Sequence, residues 1–163
     1  MIEQTLVLLK HDAVSRGFIG EIISRFEKVG LKIVAMKMQH PEENFAKKHY
    51  PTSIEERHGK EIYSRIVNYL TMGPVIAFIL EGIDSIVIVR KMVGDTYPDR
   101  SLPGTIRGDF AHINKIHANE NNMALFNLIH ASENREDAER EINLWFSKEE
   151  ILNYSHSHDN LTK

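Results

Sequence analysis

Apolar positions along the chain follow two rhythms. Thr5 to Lys10 is a short apolar run ending in a lysine, and Leu31 to Met38 is β-branched and apolar with interleaved lysines; both read as strands. Val75 to Leu80 is apolar without interruption, as a central strand is. Leu125 to Ile129 is too short for a helix and is bounded by polar residues, so it reads as a fourth strand. Helical spacing appears between these runs. Phe18, Ile19, Ile22, Phe26 and Val29 share a face opposite Glu21, Arg25 and Lys28, with Gly30 as the stop. Pro41-Glu42-Glu43 opens a short helix that ends near His49-Tyr50-Pro51, and residues 52–59 are polar and loop-like. Ile62, Ile66, Tyr69 and Leu70 form the next stripe, stopped by Gly73-Pro74. Ile83 to Val93 supports two readings: Ile86-Val87-Ile88-Val89 favours strand, whereas Asp84 as a cap and Gly94 as a stop favour helix. Alternation of elements decides for helix. Residues 94–122 hold most of the turn formers and read as a long loop. Ala138, Ile142 and Trp145 form the buried face of a final helix, and from Ser147 the tail is polar and is expected to pack loosely.

Four strands with helices between them predict an α/β (α+β) sandwich of ferredoxin-like type. Composition adds limits. The chain has 163 residues, 42% hydrophobic and 26% charged, which suits one domain with a sizeable core. A net charge of −3 gives no basic field that would make nucleic acid the main partner. No cysteine occurs, which excludes disulfides, thiolate catalysis and zinc–thiolate sites. The first residues show neither a secretion signal nor a membrane span, so a cytoplasmic protein is expected.

Candidate chemistry begins at His130, between the fourth apolar run and a helix start marked by Ser132 and Asn134. Imidazole, with an unperturbed pKa of roughly 6.5, is a nitrogen nucleophile near neutral pH, and Ala131 and Ser132 leave room for a bulky electrophile. A structural histidine capping the strand is equally consistent with the pattern. Neither common glycine-rich phosphate cradle is present, so cationic side chains would have to hold any phosphate. Lys10, Arg90 and Arg107 stand at element ends or in loops, and Thr96 and Thr105 offer hydroxyls; as surface cations and turn residues they would need no ligand.

Several stretches together closely resemble the nucleoside diphosphate kinase family: Thr5-Leu6-Val7-Leu8-Leu9-Lys10-His11-Asp12, the Ser15-Arg16-Gly17 turn, Gly73-Pro74-Val75, Val93-Gly94-Asp95-Thr96, Pro103-Gly104-Thr105-Ile106-Arg107-Gly108-Asp109-Phe110 and Asn127-Leu128-Ile129-His130-Ala131-Ser132. The resemblance runs in order over about residues 3–146. It implies a four-stranded antiparallel sheet covered by helices, and a domain of residues 1–146 followed by an extension, 147–163. It also implies transfer of a γ-phosphate from a nucleoside triphosphate to His130 and on to a nucleoside diphosphate, with Mg²⁺ held mainly by the nucleotide phosphates rather than by protein ligands. By position, Lys10, Arg90, Thr96, Arg107 and Asn127 would contact phosphates or ribose, Tyr50 would lie near the transferring phosphate, and Ser132 with Glu141 would orient the histidine. Members of that family are tetramers or hexamers, so a homo-oligomer is expected, with no stable nucleic-acid partner and no membrane association. A nucleotide-binding or scaffolding module on the same fold is the alternative, since fold alone does not dictate activity.

The chain departs from the family pattern in places. His11 stands where proline is usual, and Phe126 where an arginine is frequent. Ile62 occupies the position of the phenylalanine that stacks on the base, a loss of roughly 1 kcal/mol of aromatic contact, with Tyr63 beside it as a possible substitute. Ala111 to Ala124 lengthens the segment before the histidine strand, as a lid, a subunit contact or a solvated excursion. His156-Ser157-His158 lacks a carboxylate or cysteine framework and reads as solvated tail, and His49 and His58 receive no role.

Overall fold

The computed structural model of the chain describes residues 1–157 and 159. Strand β1 (Ile2–Leu9) runs through the middle of the sheet and explains why its apolar run is continuous. Successive side chains point to opposite faces, so Leu6 and Leu8 enter one core and Val7 and Leu9 the other. β2 (Lys32–Gln39), β3 (Val75–Ile83) and β4 (Ile129–Ala131) complete an antiparallel sheet in the order β2-β3-β1-β4. α1 (His11–Ser15) follows β1 as a single turn. One face is covered by α2 (Ile19–Lys28) and α6 (Ser85–Val93), through Ile22, Phe26, Val89 and Val93. The other is covered by α3 (Glu43–His49), α5 (Lys60–Thr71) and α9 (Arg135–Trp145), through Ala46, Val67, Leu70 and Trp145. Among the described residues no helix is long and apolar enough to cross a membrane.

The ambiguous stretch after β3 is helical. Asp84 stands at the N-cap position but its carboxylate takes the Met1 amino group at 3.0 Å, and Glu3 on β1 accepts from Ile86 N instead (3.1 Å).

Four readings need correction. Residues 52–58 form α4 (Thr52–His58), separated from α5 by Gly59 at φ +87°. The sequence hides it because Ile54 is its one apolar residue packed on the core, so no stripe develops. The long loop contains a 3₁₀ turn (Pro98–Arg100), α7 (Ile106–Phe110) and α8 (Lys115–Glu120). Thr105 and Asn114 cap the last two, accepting from Gly108 N and His117 N. Helices of five and six residues are too short to show periodicity. The fourth strand begins at Ile129, not Leu125, because β1 ends at Leu9, the partner of Ile129, and because Leu128 turns the chain at φ +68°. Finally, the tail is fastened to the outer edge of β2: Leu152 N donates to Val34 O (2.8 Å), and Tyr154 Oη to Ile33 O (2.7 Å). A sheet edge has free carbonyls, and this segment uses them. His158 lies outside the described residues.

Candidate active site

A cavity of about 540 Å³ opens beside β4. His130 is the middle residue of that strand, opposite Leu8. Ile129 and Ala131 point into the core, so strand alternation turns the imidazole to the other face, at the cavity wall. Its Nε2 lies 2.9 Å from Oε2 of Glu141, which is only 3% exposed. A carboxylate oxygen accepts, so Nε2 carries the proton and Nδ1 is left with a free lone pair. The same Oε2 accepts from Ser132 Oγ at 2.7 Å, and Oε1 from Arg140 Nη2 at 3.3 Å. Burial alone would raise the Glu141 pKa. The His130 ring and the two hydrogen bonds outweigh it and hold the carboxyl at about 2, so the acceptor is ionised at neutral pH. Glu141 therefore meets the histidine directly, with Ser132 on the same oxygen. Ser132 does not cap α9; Asn134 does, accepting from Asp137 N at 2.9 Å.

The cations expected at the site converge. Lys10, at the end of β1, Arg90, in the last turn of α6, and Arg107, in α7, all line the cavity with Thr96, Tyr50 and Ile62. Lys10 Nζ donates to Asn127 Oδ1 at 2.7 Å and lies 4.6 Å above the Tyr69 ring. Burial, reinforced by Arg107 and partly opposed by Asp12, lowers its pKa to about 7. Arg107 is buried and spends its donors on backbone: Nε on Asn127 O, Nη1 on Gly94 O and Asp95 O, and Nη2 on Ile129 O. Burial and the neighbouring Arg90 bring its pKa down to about 10. Asn127 is used at both ends, since Nδ2 donates to Thr96 O (2.9 Å). These two residues hold the loops around the cavity as much as they face it. The Tyr50 phenol is pushed well up by burial and by Glu141, and stays protonated.

Other expectations fall away from the cavity. The Thr105 hydroxyl is consumed as a cap, donating to Leu102 O and accepting from Gly108 N. Tyr63 is buried with its hydroxyl on Tyr50 O, so it does not substitute for the missing aromatic beside Ile62. His11 packs over Gly73, where a Cβ would stand 2.1 Å from its Nδ1. Phe126 packs edge-on against Tyr69 at 5.0 Å. The lengthened segment, by contrast, supplies a wall: Lys115, Ala118, Asn119, Met123 and Ala124 line the cavity opposite Ile62 and Ile66.

Three contributions had no sequence signal. His49, the last residue of α3, packs edge to face on His130 with ring centroids 4.6 Å apart. Trp145 Nε1 donates to its Nδ1 (3.2 Å), which leaves the proton on Nε2, a buried atom without a partner. Burial, then the His130 ring beside it, lowers its pKa well below the usual range, so the ring is neutral. A nitrogen from each ring and an oxygen of Glu141 lie within 4.8 Å of one another, close enough to hold a metal ion. Asp12 and Tyr69 brace the turn before β4: Asp12 accepts from Tyr69 Oη (2.7 Å) and Leu128 N (3.0 Å), and Tyr69 Oη accepts from Asn127 N (3.1 Å). Arg140 ties α9 to α3 through His49 O.

Comparison with known proteins gives one answer. The family model described as nucleoside diphosphate kinase matches residues 3–151. A nucleoside diphosphate kinase of Borreliella burgdorferi is 46% identical over 155 residues, covering 94% of this chain and 93% of that protein. One from Pyrococcus furiosus is 48% identical over 158 residues, 97% and 91% of the two chains. Among solved structures, a transition-state mimic of the Borrelia burgdorferi kinase with bound vanadate and ADP superposes with a TM-score of 0.96 at 43% identity, over 99% of this chain and 96% of that one. An NDP kinase from Pyrobaculum aerophilum gives 0.88 at 38% identity, over 94% and 100%. The resemblance in the His130 and Arg107 motifs thus extends over nearly the whole molecule, and the chain belongs to the nucleoside diphosphate kinase family.

Proposed function

We propose that this chain moves the terminal phosphate of a nucleoside triphosphate to a nucleoside diphosphate, in two steps through His130. The reading rests on one arrangement: an imidazole whose Nε2 is held by an ionised, buried carboxylate, and whose free Nδ1 stands in a cavity ringed by Lys10, Arg90 and Arg107. The Nδ1 lone pair attacks the γ-phosphorus, the bond to the β–γ bridging oxygen breaks, and the diphosphate leaves. A second diphosphate then attacks the phosphoryl group through a terminal oxygen, and Nδ1 regains its lone pair. Phosphoryl transfer asks the protein chiefly for position and positive charge. Lys10 and Arg90 supply charge, Arg107 and Asn127 hold the loops that bear it, Thr96 and Tyr50 offer hydroxyls, and Ile62 floors the base end. As its positive charge grows, the imidazole is stabilised by Glu141, itself positioned by Ser132.

Mg²⁺ belongs to this proposal as the counter-ion of the nucleotide, neutralising phosphate oxygens. The protein does not fit it as a resident metal. It needs oxygen donors, whereas the metal-competent cluster among the described residues has two imidazoles and one carboxylate. A cytoplasmic homo-oligomer, tetramer or hexamer, completes the proposal, supported by Met36 and Met38, which expose about half of their surface on β2.

Incubation with γ-labelled ATP and Mg²⁺ should yield an acid-labile, base-stable label, lost on adding a nucleoside diphosphate and absent from His130→Ala. Unchanged exchange in that variant refutes the reading. A label that nucleoside diphosphates cannot remove points instead to a phosphate relay.

A further inference from the structure

The base end of the cavity carries polar groups that the transfer reaction does not need. α5 acts as a ruler along the cleft. Tyr69, beneath Lys10 Nζ, marks the phosphate end, and at 1.5 Å rise per residue Arg65 and Ile62 lie about 6 and 10 Å further along. Both line the cavity, so they stand at the level of the sugar and base when phosphates occupy the Lys10 end. Across the cleft, α8 presents Asn119, and Arg65 Nη1 donates to its Oδ1 at 3.3 Å. The hydrogen bond joins the two walls. It also settles which way the amide points: a guanidinium has only donors, so Oδ1 must face it, and Nδ2 is turned away as a free N–H donor. Arg65 is itself steadied by Glu61 one turn earlier.

Resting on the nucleotide-transfer reading above, we propose that Asn119, oriented by Arg65, reads the base: its Nδ2 donates to an exocyclic carbonyl oxygen, so oxo bases are preferred over amino bases. Guanine and uracil offer a carbonyl acceptor where adenine and cytosine carry an amino donor. A donor facing an acceptor gains a hydrogen bond, and a donor facing a donor loses the water each held. The preference follows the exocyclic group and not ring size, because Ile62, Ala118 and Met123 enclose the base with apolar surface that does not distinguish purine from pyrimidine. The segment 111–124 is then a specificity element, since it carries the reading amide.

Titration calorimetry of the full chain with GDP, ADP, UDP and CDP tests the proposal. GDP should bind more tightly than ADP, and UDP than CDP, each by roughly fivefold, the yield of one net hydrogen bond. Asn119→Leu should bring both ratios within twofold. Asn119→Asp, which can only accept, should shift both ratios toward the amino bases. Flat ratios in the unaltered chain overturn the proposal. So does a preference that sorts purines from pyrimidines, or an Asn119→Leu variant that weakens all four equally. Labelling of His130 is measured in parallel: flat ratios with intact labelling sink only the base reading, whereas absent labelling sinks the transfer reading beneath it.

Discussion

Replacing Glu141 by glutamine removes one negative charge from a buried position behind His130. The carboxylate is 3% exposed and shares Oε2 between His130 Nε2 (2.9 Å) and Ser132 Oγ (2.7 Å). Glutamine keeps the shape and one acceptor, so the tautomer of His130 survives and the loss is electrostatic. As Nδ1 bonds to phosphorus the ring gains positive charge. Half a unit charge about 4 Å from the carboxylate, at an effective dielectric constant near 20, is stabilised by about 2 kcal/mol. That energy corresponds to about thirtyfold in rate. Quenched-flow measurement of phosphohistidine formation from labelled ATP should show this loss in a single turnover, while the Kd for ADP stays within twofold because Glu141 lies behind the ring. A variant within threefold of the original rate would refute the charge argument. A rate loss matched by an equal loss of ADP affinity would place Glu141 in substrate binding instead.

Three further outcomes follow from the same geometry. Lys10, with its pKa near 7, is mostly neutral in the free protein above that pH, and nucleotide phosphates favour its charged form. ADP binding at pH 8 should therefore take up close to one proton, read from calorimetry in buffers of different ionisation enthalpy, and Lys10→Met should abolish the uptake. Gly73→Ala would set a Cβ 2.1 Å from His11 Nδ1, so urea unfolding should show a loss of about 1–3 kcal/mol that is largely recovered in Gly73→Ala with His11→Ala. Arg107→Ala should lower both kcat/KM, by at least tenfold, and Tm, because four carbonyls lose their donor; Arg90→Ala, at a half-buried position, should lower kcat/KM with little change in Tm.

What the sequence made legible depended on how many residues expressed each feature. β1 over Leu6–Leu9 and β3 over Val75–Leu80 are buried on both faces, so those positions are all apolar and the runs are plain. α2, α5 and α9 have two or more turns against the core, enough for a stripe. α4, α7 and α8 have five to seven residues and depend on local caps and on Gly59. The start of β4 was misplaced because the deciding groups, Asp12 and Tyr69, lie 116 and 59 positions from Leu128. His49 escaped for a similar reason: its place beside His130 comes from packing α3 against α9, and no pattern near Tyr50 announces it.

The site has few groups free to touch a substrate, and many that fasten those few. Asn127 and Arg107 have motif positions that suggest ligand contact, yet their hydrogen bonds join the loop before β4 to the one that carries Thr96. Leu128 sits at φ +68°, a conformation costly for a leucine, and is kept there by Asp12 and Tyr69 at its amide and by Lys10 N at its carbonyl. One residue later β4 begins, and one further is His130. A strand of three residues cannot aim a side chain by its own pairing with β1. The turn before it, the carboxylate behind it and the His49 ring against it must do so together. The resemblance in the motif Asn127-Leu128-Ile129-His130 is therefore a resemblance in anchoring as well as in side chains: its first two residues hold the backbone that presents the last to the cavity, as the proposed transfer requires.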